Sequence, residues 1–130
     1  MVVAILGHGT VGGGVYELLK NRSDITVKYV LDRSPIAELG AVSVTDFSTI
    51  LNDGEVDTVV EVMGGLEPAH EYMVAAMRAG KNIVTANKHL LAAYYDELTT
   101  LAKETGIGFR TSAAVGGGIP LSLIHISEPT

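Results

Sequence analysis

The sequence contains no cysteine. Disulfides, zinc–thiolate centres and thiol nucleophiles are therefore excluded, and the composition fits a reducing compartment. Positive charge is scarce: nine Lys and Arg stand against fifteen Asp and Glu, for a net charge of -6 and a pI near 5.0. A nucleic-acid or anionic-membrane partner would need a basic patch, so neither is expected. Backbone amides could still bind a phosphate locally. No apolar run is long enough to span a bilayer; the best candidate, Ala113 to Ile126, is broken by three glycines, a proline and a histidine. Val2–Leu6 follows Met1 directly, without a basic leader or a small-residue cleavage site. The expected location is the cytoplasm. Linkers, charge runs and solenoid-period repeats are also missing.

What remains is a chain of 130 residues, 47% hydrophobic, with fifteen glycines. That is enough for one buried core. Strand-like and helix-like stretches alternate. Val2–Leu6, Ile25–Leu31, Ala41–Val44, Thr58–Val62, Asn82–Thr85 and Gly108–Thr111 read as strands. Helices are expected from Val11 to about Asn21, over Asp46–Asn52 with Thr45 as N-cap, over Pro68–Arg78 with Pro in the first turn, and over Tyr94–Glu104. The fold expected is α/β: a Rossmann-type, doubly wound, mainly parallel sheet with helices on both faces.

Gly7-His8-Gly9-Thr10-Val11-Gly12 matches G-x-G-x-x-G. It directly follows a strand, opens a helix, and is trailed by Asp32 at the end of the next strand, 20 residues past Gly12. That context is the dinucleotide fingerprint. Gly7 permits the tight turn, Gly9 lets the backbone approach a pyrophosphate, and Gly12 allows close helix–strand packing. The free amides at Thr10, Val11 and Gly12 face the phosphates. Asp32 accepts from ribose hydroxyls and favours NAD. Arg33 reads either as a partner for adenine or a 2′-phosphate, or as a solvated charge, so NAD and NADP both stay open.

Two more strand ends carry polar residues, and strand carboxyl ends are where such sheets bind ligands. In Thr85-Ala86-Asn87-Lys88, Lys88 is either a proton donor to a carbonyl oxygen or a solvated lysine at a helix start. In Glu61-Val62-Met63-Gly64-Gly65, Gly64 either lets the backbone lie near a ligand or belongs to a plain loop. Glu61, inside an apolar run, needs a partner if buried: a loop amide, or the cleft itself. Other motifs are negative. His8, His70, His89 and His125 are scattered, and His70-Glu71 lacks a second histidine at metalloprotease spacing. The glycine turn lacks a P-loop ending, and no G-x-S-x-G elbow is present. Asp53, Glu55 and Asp57 read as a solvated turn, and Tyr94 and Tyr95 as packing residues.

These segments together, with Gly80-Lys81-Asn82-Ile83-Val84-Thr85-Ala86-Asn87-Lys88 and Ala114-Val115-Gly116-Gly117-Gly118-Ile119-Pro120, resemble homoserine dehydrogenase in order and spacing from about Val2 to Leu121. The resemblance implies an NAD(P)-dependent oxidoreductase of threonine, methionine and isoleucine biosynthesis. It would interconvert L-homoserine and L-aspartate 4-semialdehyde and act as a homo-oligomer. It implies cofactor contacts at Thr10 and Val11, a binding and proton-transfer role for Lys88, and a sodium ion held by the carbonyls of Val115, Gly117 and Ile119. Ser122 to Thr130 does not resemble the family, and Ser112 stands where the family usually has a glutamate. The expected organisation is an NAD(P)-binding domain over 1–111, the start of a truncated catalytic domain over 112–121, and an unassigned, non-native tail over 122–130. As a fragment without the family's later substrate residues, the chain is expected to bind NAD(P) and to turn over poorly or not at all. The alternatives are a stand-alone NAD(P)-sensing module and another amino-acid or sugar dehydrogenase sharing the cofactor domain.

Overall fold

Continuous apolar runs suit strands buried on both faces. In the computed structural model, which describes residues 1–111 apart from the side chains of Thr10 and Val11, they form β1 (Val2–Leu6) and the centres of β4 (Thr58–Glu61) and β5 (Asn82–Thr85), while β2 (Thr26–Leu31) is mixed and buried only at its end. Two short strands, β3 (Ser43–Val44) and β6 (Phe109–Thr111), complete a six-stranded sheet in the order β3-β2-β1-β4-β5-β6, with every pairing parallel. The helices are α1 (Thr10–Leu19), α2 (Phe47–Leu51), α3 (Ala69–Arg78) and α4 (Lys88–Thr105), with a 3-10 helix over Ala37–Val42.

Alternation along the strands sorts the core into two layers. Val3, Ile5, Val30, Val60 and Val84 pack with Val15 and Leu19 of α1. Ala4, Leu6, Leu31, Val59 and Ile83 pack with Phe47 and Ile50 of α2, Met73 and Met77 of α3, and Leu90, Leu98 and Leu101 of α4. The sheet grows outward from β1 in both directions, so crossovers of a single hand must place α1 and α3 on opposite faces. The two layers follow that rule.

Several boundaries differ from the sequence reading. The third strand is only Ser43–Val44, because Ala37–Val42 winds into a 3-10 turn, with Gly40 at φ 58°. Asp46, not Thr45, caps α2: its carboxylate accepts from the Ser48 amide at 2.9 Å. Pro68 occupies the N-cap position of α3 rather than its first turn. The last helix begins at Lys88, six residues before Tyr94, where the backbone leaves helical values (φ -131°, ψ 22°).

The acidic turn at Asp53 is more than a solvated loop. Lys28 Nζ lies 2.6 Å from both Asp53 Oδ2 and Glu55 Oε1, and the Tyr29 hydroxyl donates to Asp53 Oδ2 at 2.6 Å. Lys81, 4% exposed, donates to the carbonyls of Asp53 and Val56 at 2.8 Å each, and burial pushes its pKa down. Hydrogen bonds from Lys28 and then Tyr29 hold the Asp53 carboxyl well below the usual carboxylate range. A depressed folded-state pKa stabilises the protein above the unfolded value of about 3.9, and that contribution is lost as pH falls through the folded value. Asp53→Asn is therefore expected to lower the urea midpoint at pH 7. The gap from the wild type should narrow progressively below about pH 4. Urea titrations at three pH values check this; a gap constant with pH would refute it.

Candidate dinucleotide site

Because all pairings are parallel, every strand ends at the same rim. One row of paired residues crosses it: Val44, Leu31, Leu6, Glu61, Thr85 and Thr111. Strand order reverses between β1 and β4, and a cavity of about 530 Å³ opens above that point. Such a switch point is the ligand site expected of this architecture.

The floor is the glycine turn. Gly7 has φ 105°, in the left-handed region, and its amide donates to the Leu31 carbonyl at 2.8 Å. This bond ties the turn to the end of β2. Gly12 is buried directly over Gly7: a Cβ there would overlap the Gly7 carbonyl oxygen and sit 2.7 Å from its carbon. Gly9 is the opposite case. It is exposed, with φ -69°, and a Cβ would meet no atom within 4 Å. Its lack of a side chain therefore answers no packing need of the protein itself. Gly9 is also the N-cap of α1, and being glycine it offers no side-chain acceptor to the helix. Along the axis, the Gly13 amide donates to the Gly9 carbonyl at 2.8 Å. The amides of Thr10, Val11 and Gly12 precede it, where a helix has no internal acceptors to give. An open cradle of amides at a positive helix end fits an anion such as a pyrophosphate.

Leu31, Asp32 and Arg33 form one wall, joined by Thr45 from the loop after β3. Asp32 Oδ1 accepts from the Arg33 amide at 2.7 Å. This local bond fixes the carboxylate at the strand end. Arg33 is exposed. The other wall is the β4–α3 loop with Val62, Met63 and Gly64, the start of α3 with Glu67, Pro68 and Tyr72, and Ala86 after β5. Gly64 and Gly65 both adopt positive φ, 78° and 73°, and turn this loop back.

At Glu61 and in the segment after β5 the structure decides between the alternatives of the sequence reading. Glu61 is fully buried and bonds a loop amide, as one alternative has it: Oε2 accepts from the Met63 amide at 2.9 Å. It does not line the cavity. Thr85 is also fully buried, and its hydroxyl donates to Glu61 Oε1 at 2.6 Å. Asn87 caps α4 by accepting from the Leu90 amide at 3.1 Å. Lys88, the first residue of α4, is exposed and is not among the cavity-lining residues. A cation gains nothing from the positive end of a helix, so helix stability does not account for a lysine there.

The sequence reading singles out no role for Met63, Glu67 or Tyr72. Tyr72 stacks on Phe47 at 4.2 Å, which places a ring from α3 against α2 at the edge of the cavity. His70 contacts Glu67 and Glu97 and stacks on Tyr94 at 3.8 Å. Only Glu67–His70, spaced i,i+3, carries a local signal; the other partners meet through the crossovers. Val115, Gly117 and Ile119, implied as sodium ligands, lie outside the described residues, as do the expected divisions after residue 111. Among the described residues, no helix is long and apolar enough to cross a membrane.

Comparison with known proteins agrees with this geometry. Residues 7–111 match the family model described as homoserine dehydrogenase, NAD binding domain. A homoserine dehydrogenase of Bacillus subtilis is 39% identical over 92% of this chain and 31% of its own length. The crystal structure of S. aureus homoserine dehydrogenase at pH 7.5 superposes with a TM-score of 0.79 at 36% identity, covering 88% of this chain and 32% of that one. A hyperthermophilic archaeal homoserine dehydrogenase in complex with NADPH gives a TM-score of 0.71 at 26% identity, covering 86% of this chain and 43% of that one. The chain spans about a third of the length of the curated relatives it matches. A glycine cradle over a Rossmann switch point, matched by this family over residues 7–111, places the chain in the NAD-binding domain family of homoserine dehydrogenase.

Proposed function

We propose that this chain is the cofactor-binding part of an NAD(P)-dependent homoserine dehydrogenase, which interconverts L-homoserine and L-aspartate 4-semialdehyde. The observation that carries this reading is the pairing of Gly9 with Gly12. One glycine is required by packing, while the other faces open space at a helix start whose first amides have no acceptor within the helix. In this reading Gly7, Gly9, Thr10, Val11 and Gly12 hold the pyrophosphate, and Asp32 accepts from the ribose. Gly64 lets the β4–α3 loop lie close to the dinucleotide. The bound dinucleotide supplies or accepts the hydride. Thr85 acts from within, through its bond to Glu61, while Lys88 projects its charge at the rim to meet the substrate oxygen and transfer its proton.

Coenzyme choice rests on Asp32 and Arg33. Asp32 Oδ1 is engaged by the Arg33 amide, and Oδ2 remains for a ribose hydroxyl; a carboxylate there repels a 2′-phosphate and favours NAD. The exposed Arg33 supports a second reading in which NADP is also taken.

Calorimetric titration with NADH and NADPH tests both points. The wild-type chain should bind at least one coenzyme saturably. Gly9→Val should keep the fold, since a Cβ there meets nothing, yet weaken binding by about tenfold or more as its side chain fills the pyrophosphate position. Equal binding by wild type and variant would overturn the assignment of the cradle.

A further inference from the structure

We propose that Glu61 is a positioning residue for the nicotinamide half of the site, a role that rests on the cofactor reading above. With the ribose at Asp32 and the pyrophosphate at the glycine turn, the rest of the dinucleotide must extend toward β4 and β5, on the far side of β1. Glu61 sits in the rim row between Leu6 and Thr85 and is fully buried. Its neighbours in β4, Val59 and Val60, are apolar and equally buried. An ionisable side chain at that position is costly unless it is fully bonded, so the sheet alone gives no reason for it.

Its bonds give one. The Glu61 carboxyl accepts from three donors: the Met63 amide at 2.9 Å, the Thr85 hydroxyl at 2.6 Å and Asn87 Nδ2 at 3.3 Å. Thr85 Oγ1 in turn accepts from the Asn87 amide at 3.1 Å. Asn87 Nδ2 also donates to the Gly65 carbonyl at 2.6 Å, while its Oδ1 caps α4 at Leu90. β4 and β5 are already joined by their own ladder. The added bonds reach beyond it, to the loop that carries Met63 and Gly64 and to the start of α4 that carries Lys88. One buried carboxyl thus fixes two independent segments of the rim relative to each other. Preorganisation of this kind raises affinity by removing the ordering cost of binding.

The test is made on the whole 130-residue chain, titrated with NADH and with ADP-ribose, which lacks the nicotinamide. Glu61→Gln presents an NH₂ group where the carboxyl must accept. Asn87→Ser keeps a cap acceptor for α4 but removes both Nδ2 donations, and so serves if the first variant does not fold. Each folded variant should lose about tenfold in NADH affinity while its ADP-ribose affinity stays within about twofold of wild type. Equal weakening of both ligands would show a general structural role, and no weakening of either would show no role; both results overturn the proposal. A wild-type chain that binds ADP-ribose as tightly as NADH would overturn it as well. Failure of the wild type to bind either ligand would instead strike the cofactor reading itself.

Discussion

Gly12→Ala is expected to destabilise the protein by about 2 kcal/mol and to abolish dinucleotide binding. Two effects oppose each other. Alanine in a helix gains up to about 1 kcal/mol over glycine. Against this, the new Cβ would overlap the Gly7 carbonyl oxygen and lie 2.7 Å from its carbon. No rotamer relieves a Cβ contact with backbone, and overpacking costs about 1–3 kcal/mol, occasionally more. The steric term wins, and relief requires α1 to move off the sheet, carrying its amides with it. Gly14→Ala supplies the control. Gly14 is exposed in the same helix, and a Cβ added there would meet nothing within 4 Å, so the substitution should stabilise by about 0.5–1 kcal/mol. Denaturant unfolding of the pair must give opposite signs; destabilisation by both would show that the loss at Gly12 does not report its contact with Gly7.

The second large effect lies in β5. Ile83→Ala is expected to cost about 3 kcal/mol and Val84→Ala about 2 kcal/mol. Both residues are fully buried, but they point to opposite layers, Ile83 toward the α2–α3–α4 side and Val84 toward the α1 side. Each loss is a large fraction of the 5–15 kcal/mol or so that holds a typical domain. Separate surroundings predict near-additivity, within about 0.5 kcal/mol, although the residues are adjacent in sequence. The double variant should therefore populate the unfolded state at room temperature. Urea titration of the three variants checks this, and strong coupling between the two sites would mean that the layers do not behave as separate cores.

The parts of this architecture visible in the sequence are those set by local composition. Val2–Leu6, Thr58–Glu61 and Asn82–Thr85 are short apolar runs bounded by polar or glycine residues, and they become the central strands. The glycine turn and Asp32 carry their chemistry in spacing alone, and the fold places them around one cavity. Residues with two roles are harder to read. Thr85, Asn87 and Lys88 form a polar cluster at a strand end, which points to a ligand, yet Thr85 and Asn87 turn inward to Glu61 and to the cap of α4. Reading Asn87 as part of a ligand-facing motif hides the cap, and with it the first turns of a helix that resumes after Tyr94. Asp46 competes with Thr45 for one cap, and both residue types suit it. The contribution of Met63 and Tyr72 to the cavity wall depends on the β4–α3 loop folding back through two left-handed glycines, which no periodicity announces.

The strand order has a kinetic consequence. β1 pairs with β2 across one short helix, but its other neighbour is β4, so Val3 must find Thr58. Closing that loop costs chain entropy before any contact across it is gained. The half-sheet β3-β2-β1 can assemble from nearby segments, and so can β4-β5-β6. Joining the halves along the β1–β4 seam is then the step with the greatest sequence separation. Non-local parallel pairing is slow, so this seam should set the refolding rate. The crevice proposed to hold the dinucleotide would thus be among the last features of the molecule to form.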